Sequence, residues 1–324
     1  MSVLVVGGAG YIGSHMVERL GASGVDVTTL DSLVSGHRDA VLHGDFIEGD
    51  MADRELLDSL LGTRKFDAVM HFASHIEVGE SVRLPGKYYR NNVAHTLVLL
   101  EAMLAAGIDK FIFSSTAAIF GTPQYTPIDE LHPRAPINPY GRTKHMIEQI
   151  LADYERAYGL RSVCLRYFNA AGADPAGRLG ERHDPESHLI PLTLQAAAGR
   201  RAAISIFGTD YDTPDGTCIR DYVHIVDLCE AHALALQSLM ADKPSAAYNL
   251  GNGAGFSVRE VIDTVRRVTG CTFAVEEEAR RAGDPPRLVA DSSAARRELG
   301  WSPRYPALET IVEHAWKFEQ HRPR

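Results

Sequence analysis

Tyr140 and Lys144 stand four residues apart in "INPYGRTKHMIEQIL", residues 137–151, at the mouth of a helical pattern. On a helix that spacing places two side chains on one face, about 6 Å apart along the axis. A free phenol titrates at about pH 10 and is a poor base at neutrality, so it needs a nearby cation to stabilise its phenolate. Lysine one turn away would supply it. The same spacing also arises on any helix that exposes a tyrosine and a lysine, so a second signal is required. It comes from "FSSTAAIFG", residues 113–121, where a strand-like run ends in small hydroxyl residues, Thr116 the last of them. Tyrosine, lysine and threonine at one place would suit proton transfer to and from a carbinol during hydride transfer, with Tyr140 the proton carrier and Thr116 bonded to the same oxygen. Ala117 and Ala118, which follow, have no proton to exchange.

These residues need a sheet edge to gather on. Apolar runs at Val3–Val6, Val27–Leu30, Ala68–Phe72, Phe111–Phe113 and Ser162–Leu165 alternate with longer amphipathic stretches. The alternation predicts an α/β fold, a doubly wound parallel sheet covered by helices. In "GGAGYIGSH" the glycines Gly7, Gly10 and Gly13 follow the first strand and open a helix over Tyr11–Leu20. In a dinucleotide fingerprint the first glycine permits the tight turn, the second lets backbone amides approach a pyrophosphate, and the third lets helix and sheet pack closely. Asp31 ends the next strand where an acid would hold a ribose 2'-hydroxyl, which favours NAD over NADP. Asp50 either reaches the adenine in the same crevice or caps the helix "ADRELLDSLL".

The totals exclude several classes. The 324 residues carry 45% hydrophobic side chains and a formal charge of -9, with no basic run to bind nucleic acid. Cys164, Cys218, Cys229 and Cys271 are scattered without zinc or disulfide spacing, so reduced thiols and no metal are expected. No apolar run approaches the roughly 20 residues of a membrane helix, and the start lacks a signal-peptide pattern, so a cytoplasmic location is expected.

With "GGAGYIGSH", "DSLVSG", "HFAS", "FSST" and "YGRTK" in this order, the chain resembles the extended short-chain dehydrogenase/reductase family. Within that family it is most similar to the branch that epimerises UDP-glucose and UDP-galactose at C4. The similarity runs on through "RYFNAAGAD", "HLIP", "IFGTDYDTPDGTCIRDYVHIVD", "YNLGNG" and "RRAGDPPRLVAD", across nearly the whole length. It implies NAD contacts at Gly7, Gly10, Tyr11, Ile12, Asp31, Ser32, Asp50, Met51, Phe72, Ala73, Asn91, Ser114, Tyr140, Lys144 and Tyr167, and catalytic roles for Thr116, Tyr140 and Lys144. It further implies that Asn169, His188, Leu189, Phe207, Arg220, Tyr222, Arg281 and Asp284 hold the UDP-sugar. Ile76 departs from members that carry a cofactor-contacting lysine there, and His188 from members with asparagine. Where related dehydratases have an Asp-Glu pair, Ala117 and Ala118 argue against elimination. Leu288 falls where other members carry a residue bordering the sugar pocket, tyrosine in those restricted to unacetylated hexoses.

After "LRYFNAAGA" the regular alternation gives way to the glycine- and proline-rich "GADPAGRLGERHDPESHLIP". A boundary near 170 is expected, with 1–170 the NAD-binding Rossmann domain, 171–324 a smaller α/β domain for the UDP-sugar, and 221–238 returning to the first. Arg220 and Arg281 suit a diphosphate through the guanidinium fork, and Asp284 a ribose, although arginines beside acids also make surface ion pairs. The tail, with Ile311, Ala315 and Phe318 on one helical face, reads as structural. Leu97, Leu99, Leu100 and Met103 form a core or interface stripe, and the family implies a homodimer through that helix and the Tyr140 helix. The functional expectation is NAD-dependent 4-epimerisation of a UDP-hexose in galactose metabolism. The alternatives are a UDP-N-acetylhexosamine or UDP-pentose substrate, release of the keto sugar as product, and a non-catalytic NAD-binding scaffold.

Overall fold

The computed structural model describes residues 1–281 and 283–322. In chain order the first half runs β1 (Ser2–Val6), α1 (Tyr11–Gly21), β2 (Asp26–Asp31), β3 (Asp45–Glu48), α2 (Arg54–Thr63), β4 (Ala68–His71), α3 (Val78–Arg83), α4 (Pro85–Tyr88), α5 (Thr96–Ala105), β5 (Lys110–Thr116), α6 (Pro139–Tyr158) and β6 (Arg161–Tyr167). The second half adds β7 (Asn169–Ala171), α7 (Leu189–Ala197), β8 (Ala203–Phe207), β9 (Ile219–Arg220), β10 (Tyr222–His224), α8 (Ile225–Met240), β11 (Ala246–Leu250), β12 (Phe256–Ser257), α9 (Val258–Thr269), β13 (Ala274–Glu278), β14 (Arg287–Leu288), α10 (Ser293–Leu299) and α11 (Leu308–His321).

Seven parallel strands form the main sheet in the order β11-β6-β5-β4-β1-β2-β3. This is the doubly wound arrangement expected, with the order reversing at β1. Side chains alternate across a strand, and β1 feeds both cores accordingly. Val3 and Val5 join Met16, Val17 and Leu20 of α1 and Leu228 and Leu236 of α8 on one face. Leu4 and Val6 join Leu57 and Leu61 of α2, Leu99 and Met103 of α5, and Ile147 and Leu151 of α6 on the other. Being covered on both faces, the strand is apolar throughout rather than alternating.

The chain re-enters this layer after residue 221. α8 packs on one face and β11 extends the sheet beside β6, so the returning stretch reaches Leu250, past the expected 238. The cause is tertiary: "AAYNL" gains its partner only from β6, a strand some eighty residues earlier. A separate core unites α7, α9 and α11 through Ile190, Leu194, Val261, Val265, Ile311 and Val312. Ala315 packs against the same cluster, and the Phe318 ring lies against Gly180. Among the described residues no helix is long and apolar enough to cross a membrane.

Candidate active site

Five of the loops named from sequence leave the same edge of the sheet, the carboxyl ends of β1, β2, β4, β5 and β6, where open α/β sheets bind ligands. After β1, Gly7 has φ +82°, and a Cβ there would meet the Ala73 nitrogen at 2.5 Å. A Cβ on Gly13 would come within 2.1 Å of the Gly7 oxygen, so both positions need glycine. At Gly10 a Cβ would find only ordinary contact, 3.5 Å from that oxygen. Gly10 precedes α1 without a side-chain cap, and no acid stands in the first turn. The amides around Tyr11, Ile12 and Gly13 therefore face outward without an intrahelical acceptor, and this cradle fits a diphosphate.

Asp31 closes β2, and its carboxylate accepts from the amides of Ala9 and Leu33, both at 2.9 Å. That fixes the carboxylate beside the glycine loop, with Ser32 between it and a turn at Leu33, φ +56°. Asp50 accepts from the Ala52 amide at 2.8 Å, but the cap of α2 is Asp53, whose side chain accepts from Leu56. Of the two readings of Asp50, the cap is thus supplied instead by Asp53, three residues further on, where the helix begins. Met51 is buried. Phe72 and Ala73 follow β4, and Asn91 reaches the Ala73 carbonyl with its side-chain amide at 3.3 Å. Asn91 lies in a π-helical turn, Tyr89–His95, an irregularity that often marks a functional position.

The candidate trio comes from β5 and α6. Asn138 caps α6 by accepting from the Gly141 amide, and Pro139 opens its first turn. A Cβ on Gly141 would stand 2.5 Å from the Ala118 oxygen. Glycine there lets the helix lie on the turn after β5, which sets Tyr140 against Thr116. Tyr140 is 8% exposed. Burial pushes its phenol up to about 12, the Thr116 hydrogen bond opposes the rise, and the nearby Glu77 carboxylate adds to it. Lys144 Nζ donates to Ser74 Oγ at 2.8 Å and to the Ser114 carbonyl at 2.6 Å. Burial brings it down to about 7, against the pull of Cys164 and Glu148.

Both groups are desolvated and the oxygens that hold Nζ are uncharged, so in the protein alone burial moves each toward its neutral form. Tyr167 bonds the Ser114 hydroxyl, and burial raises its phenol too.

Sequence reasoning missed the support beneath the trio. Arg166, 1% exposed, donates through Nε and Nη2 to the two oxygens of Glu148, at 2.9 and 2.6 Å. Ser115 donates to the same carboxylate at 2.6 Å. One ion pair therefore ties β5 beside Thr116, β6 beside Tyr167 and α6 one turn after Lys144. The only sequence signal was a charged pair inside apolar surroundings, in "HMIEQIL" and "CLRYF".

The residues expected to face a UDP-sugar follow β6 in the chain. Asn169 on β7 donates through its side chain to the Asp221 carbonyl at 2.8 Å, and Tyr222 on β10 is buried. Arg220 donates to Asp284 at 2.7 Å and to the carbonyls of Ile219 and Pro285, both at 2.9 Å. Arg281 lies 3.8 Å over the Phe207 ring. His188 and Leu189 open α7, and the His188 imidazole is turned to Glu181 and Glu186 at 2.8 and 3.0 Å. Burial disfavours its charge, but the two carboxylates outweigh that and hold its pKa well above the usual value. Leu288 pairs with Arg220 across β14 and β9, and its side chain packs with Ile119, Phe120 and Ile128. It thus lies against the turn that follows Thr116.

A doubly wound sheet with a glycine loop at its order reversal and Thr116, Tyr140 and Lys144 at one edge defines an NAD-dependent enzyme. A profile of the NAD dependent epimerase/dehydratase family matches residues 3–251, and the chain belongs to that family. It is 53% identical over 323 residues to UDP-glucose 4-epimerase of Halalkalibacterium halodurans, covering 100% of this chain and 97% of that protein. The crystal structure of UDP-glucose 4-epimerase from Brucella ovis in complex with NAD has a TM-score of 0.96 at 50% identity, covering 97% of both chains. That from Bifidobacterium longum in complex with NAD+ and UDP has a TM-score of 0.94 at 37% identity, covering 100% of this chain and 99% of the other.

Proposed function

We propose that this chain interconverts UDP-glucose and UDP-galactose by inversion at C4, with NAD as a bound cofactor. The observation that carries the reading is the burial of Thr116, Tyr140 and Lys144 together at the sheet edge, Lys144 Nζ bonded to the Ser114 carbonyl, with the proton-free Ala117 and Ala118 beside them. NAD supplies a hydride acceptor and donor. Thr116 orients the sugar 4'-hydroxyl, Tyr140 takes its proton as the 4-keto sugar forms, and the same tyrosine returns the proton once the sugar presents its other face. Lys144, one helical turn away, acts through its charge on the Tyr140 phenol when it is protonated. With no acid or base after Thr116, elimination has no proton carrier.

Gly7, Gly10, Asp31 and their neighbours around β1, β2 and β4 hold the dinucleotide in this reading. In this reading His188, Leu189, Phe207, Arg220, Arg281 and Asp284 hold the UDP-sugar from 171–324, joined by Asn169 and Tyr222 from 1–170 and the 221–238 stretch expected to return to it. Arg220 reaches a diphosphate with its fork only if its bonds to Asp284 and the carbonyls rearrange. The enzyme would work in the cytoplasm, in galactose metabolism, as a homodimer joined through α5 and α6. Leu288, smaller than tyrosine, favours a second reading in which N-acetylated UDP-hexoses also turn over.

The test is to incubate the purified protein separately with UDP-glucose, UDP-N-acetylglucosamine and UDP-xylose, without added NAD, and to follow product by NMR. Conversion of UDP-glucose to UDP-galactose is expected. A stable keto sugar, or no turnover of any substrate, would overturn the epimerase reading. Tyr140→Phe should lower kcat about 10³-fold, within the range for loss of a proton-transferring group. Full turnover by that variant would remove Tyr140 from the reaction.

A further inference from the structure

We propose that Glu181, His183, Glu186 and His188 form a transition-metal site that pins residues 180–189 over the dinucleotide cleft. One donor atom from each of the four lies within 4.8 Å of all the others. His183 Nδ1 is 3.0 Å from Glu181 Oε1, and His188 Nδ1 is 2.8 Å from the same oxygen and 3.0 Å from Glu186 Oε1. Two imidazole nitrogens and two carboxylate oxygens are a donor set suited to zinc and its neighbours. In a tetrahedral site with bonds of about 2.0–2.1 Å the donor atoms stand about 3.4 Å apart, so the short contacts would open by about 0.4–0.6 Å while the wider pairs, up to 4.8 Å, would close.

An independent observation points inward to a ligand. The Glu186 side chain is 3% exposed, yet its Oε2 has no hydrogen-bond partner and faces His183 Nδ1 from 3.8 Å. A buried carboxylate oxygen left unpaired is costly unless a cation completes it. Among the described residues no lysine or arginine pairs with Glu181 or Glu186, and the neighbouring Arg182 is turned outward to Asp39.

The segment is placed where such an ion would matter. On one side the Arg182 carbonyl lies 3.0 Å from His37 Nε2, in the loop after β2. On the other, Ser187 Oγ donates at 2.8 Å to Glu77, in the loop after β4. Between them Arg182 and His183 line a small cavity with Gly10 and Tyr11, directly above the start of α1. An ion bonded to 181, 183, 186 and 188 would hold this strap across the cradle and slow departure of the dinucleotide, a consequence that rests on the NAD-dependent reading. Nδ1 of His188 would be committed to the metal and Nε2 left for the nucleotide.

The experiment treats the purified holoenzyme with a chelator, then titrates it with Zn²⁺ and with Co²⁺ as a spectroscopic substitute, for the natural chain and for Glu186→Gln and Glu181→Gln. Expected are one equivalent per chain by elemental analysis, a visible tetrahedral Co²⁺ spectrum, and a loss of affinity beyond about 100-fold in each variant, more than an outer-shell change produces. Circular dichroism of the variants separates ligand loss from misfolding, and Glu186→Gln can keep the bonds from the Ser187 and His188 amides. Unchanged affinity in the variants, or no Zn²⁺ or Co²⁺ binding at micromolar concentration, overturns the site and leaves two imidazolium–carboxylate pairs. Chelation should also speed release of bound NAD. If metal binds and NAD release is unaltered, the pinning is overturned while the site stands. Neither outcome depends on whether the sugar is epimerised.

Discussion

The two sides of the cleft are held by different kinds of bond. On the dinucleotide side the polar groups are tied to backbone: Asp31 to two amides, Lys144 to the Ser114 carbonyl, and Asn91 to the Ala73 carbonyl. Among the residues proposed to hold the UDP-sugar, side chains also pair with one another: Arg220 with Asp284 besides two carbonyls, Arg281 over Phe207, and His188 between Glu181 and Glu186. Backbone partners belong to strands and helix ends that cannot move without breaking the sheet. Paired side chains can exchange partners when a ligand arrives. In the proposed reading, the groups for the chemistry are fixed by the fold, while those for the substrate include side-chain pairs that a ligand could replace.

The strongest challenge to that contrast is to loosen the rigid side from below. Glu148→Gln leaves Arg166 charged and buried without its carboxylate, and should cost about 3–5 kcal/mol in urea unfolding. A cost below 1 kcal/mol would show that the trio does not depend on this pair. On the adaptable side, Arg220→Ala should raise KM for UDP-glucose about tenfold or more, as loss of a charged hydrogen bond does, with kcat changed far less. A fall in kcat at constant KM would mean that Arg220 belongs to the fixed chemistry.

Lys144 gives a pH test of the rigid side. Folded Lys144 loses its proton at about 7, whereas the unfolded side chain keeps its proton up to the ordinary 10.5. Between those values the unfolded state binds the extra proton, so in the NAD-free protein this residue makes stability rise with pH, by up to ~1.4 kcal/mol per unit. Lys144→Met should remove that slope from unfolding curves measured at successive pH values. The smallest effect is expected at Leu288: a change to tyrosine should cut turnover of UDP-N-acetylglucosamine relative to UDP-glucose by about tenfold, the scale on which pocket volume discriminates. Equal change for both sugars would separate Leu288 from substrate choice.

The strand runs, the glycine loop, Asp31 and the trio could all be read from the chain because each rests on local pattern. Short unbroken apolar runs make strands covered on both faces, three glycines at fixed spacing make one turn, and four residues make one helical turn. Tertiary structure alone decided what those patterns meet. It placed β11 beside β6, set the α2 cap at Asp53, and buried Tyr140 with Lys144, which moves each toward its neutral form. It also joined Glu148 to Arg166 and closed "ERHDPESH" into a cluster of donor atoms, which spacing among cysteines could not signal. Local order follows from residue type and period; burial and pairing depend on which distant residues fill the space around a group, and only the assembled chain sets that.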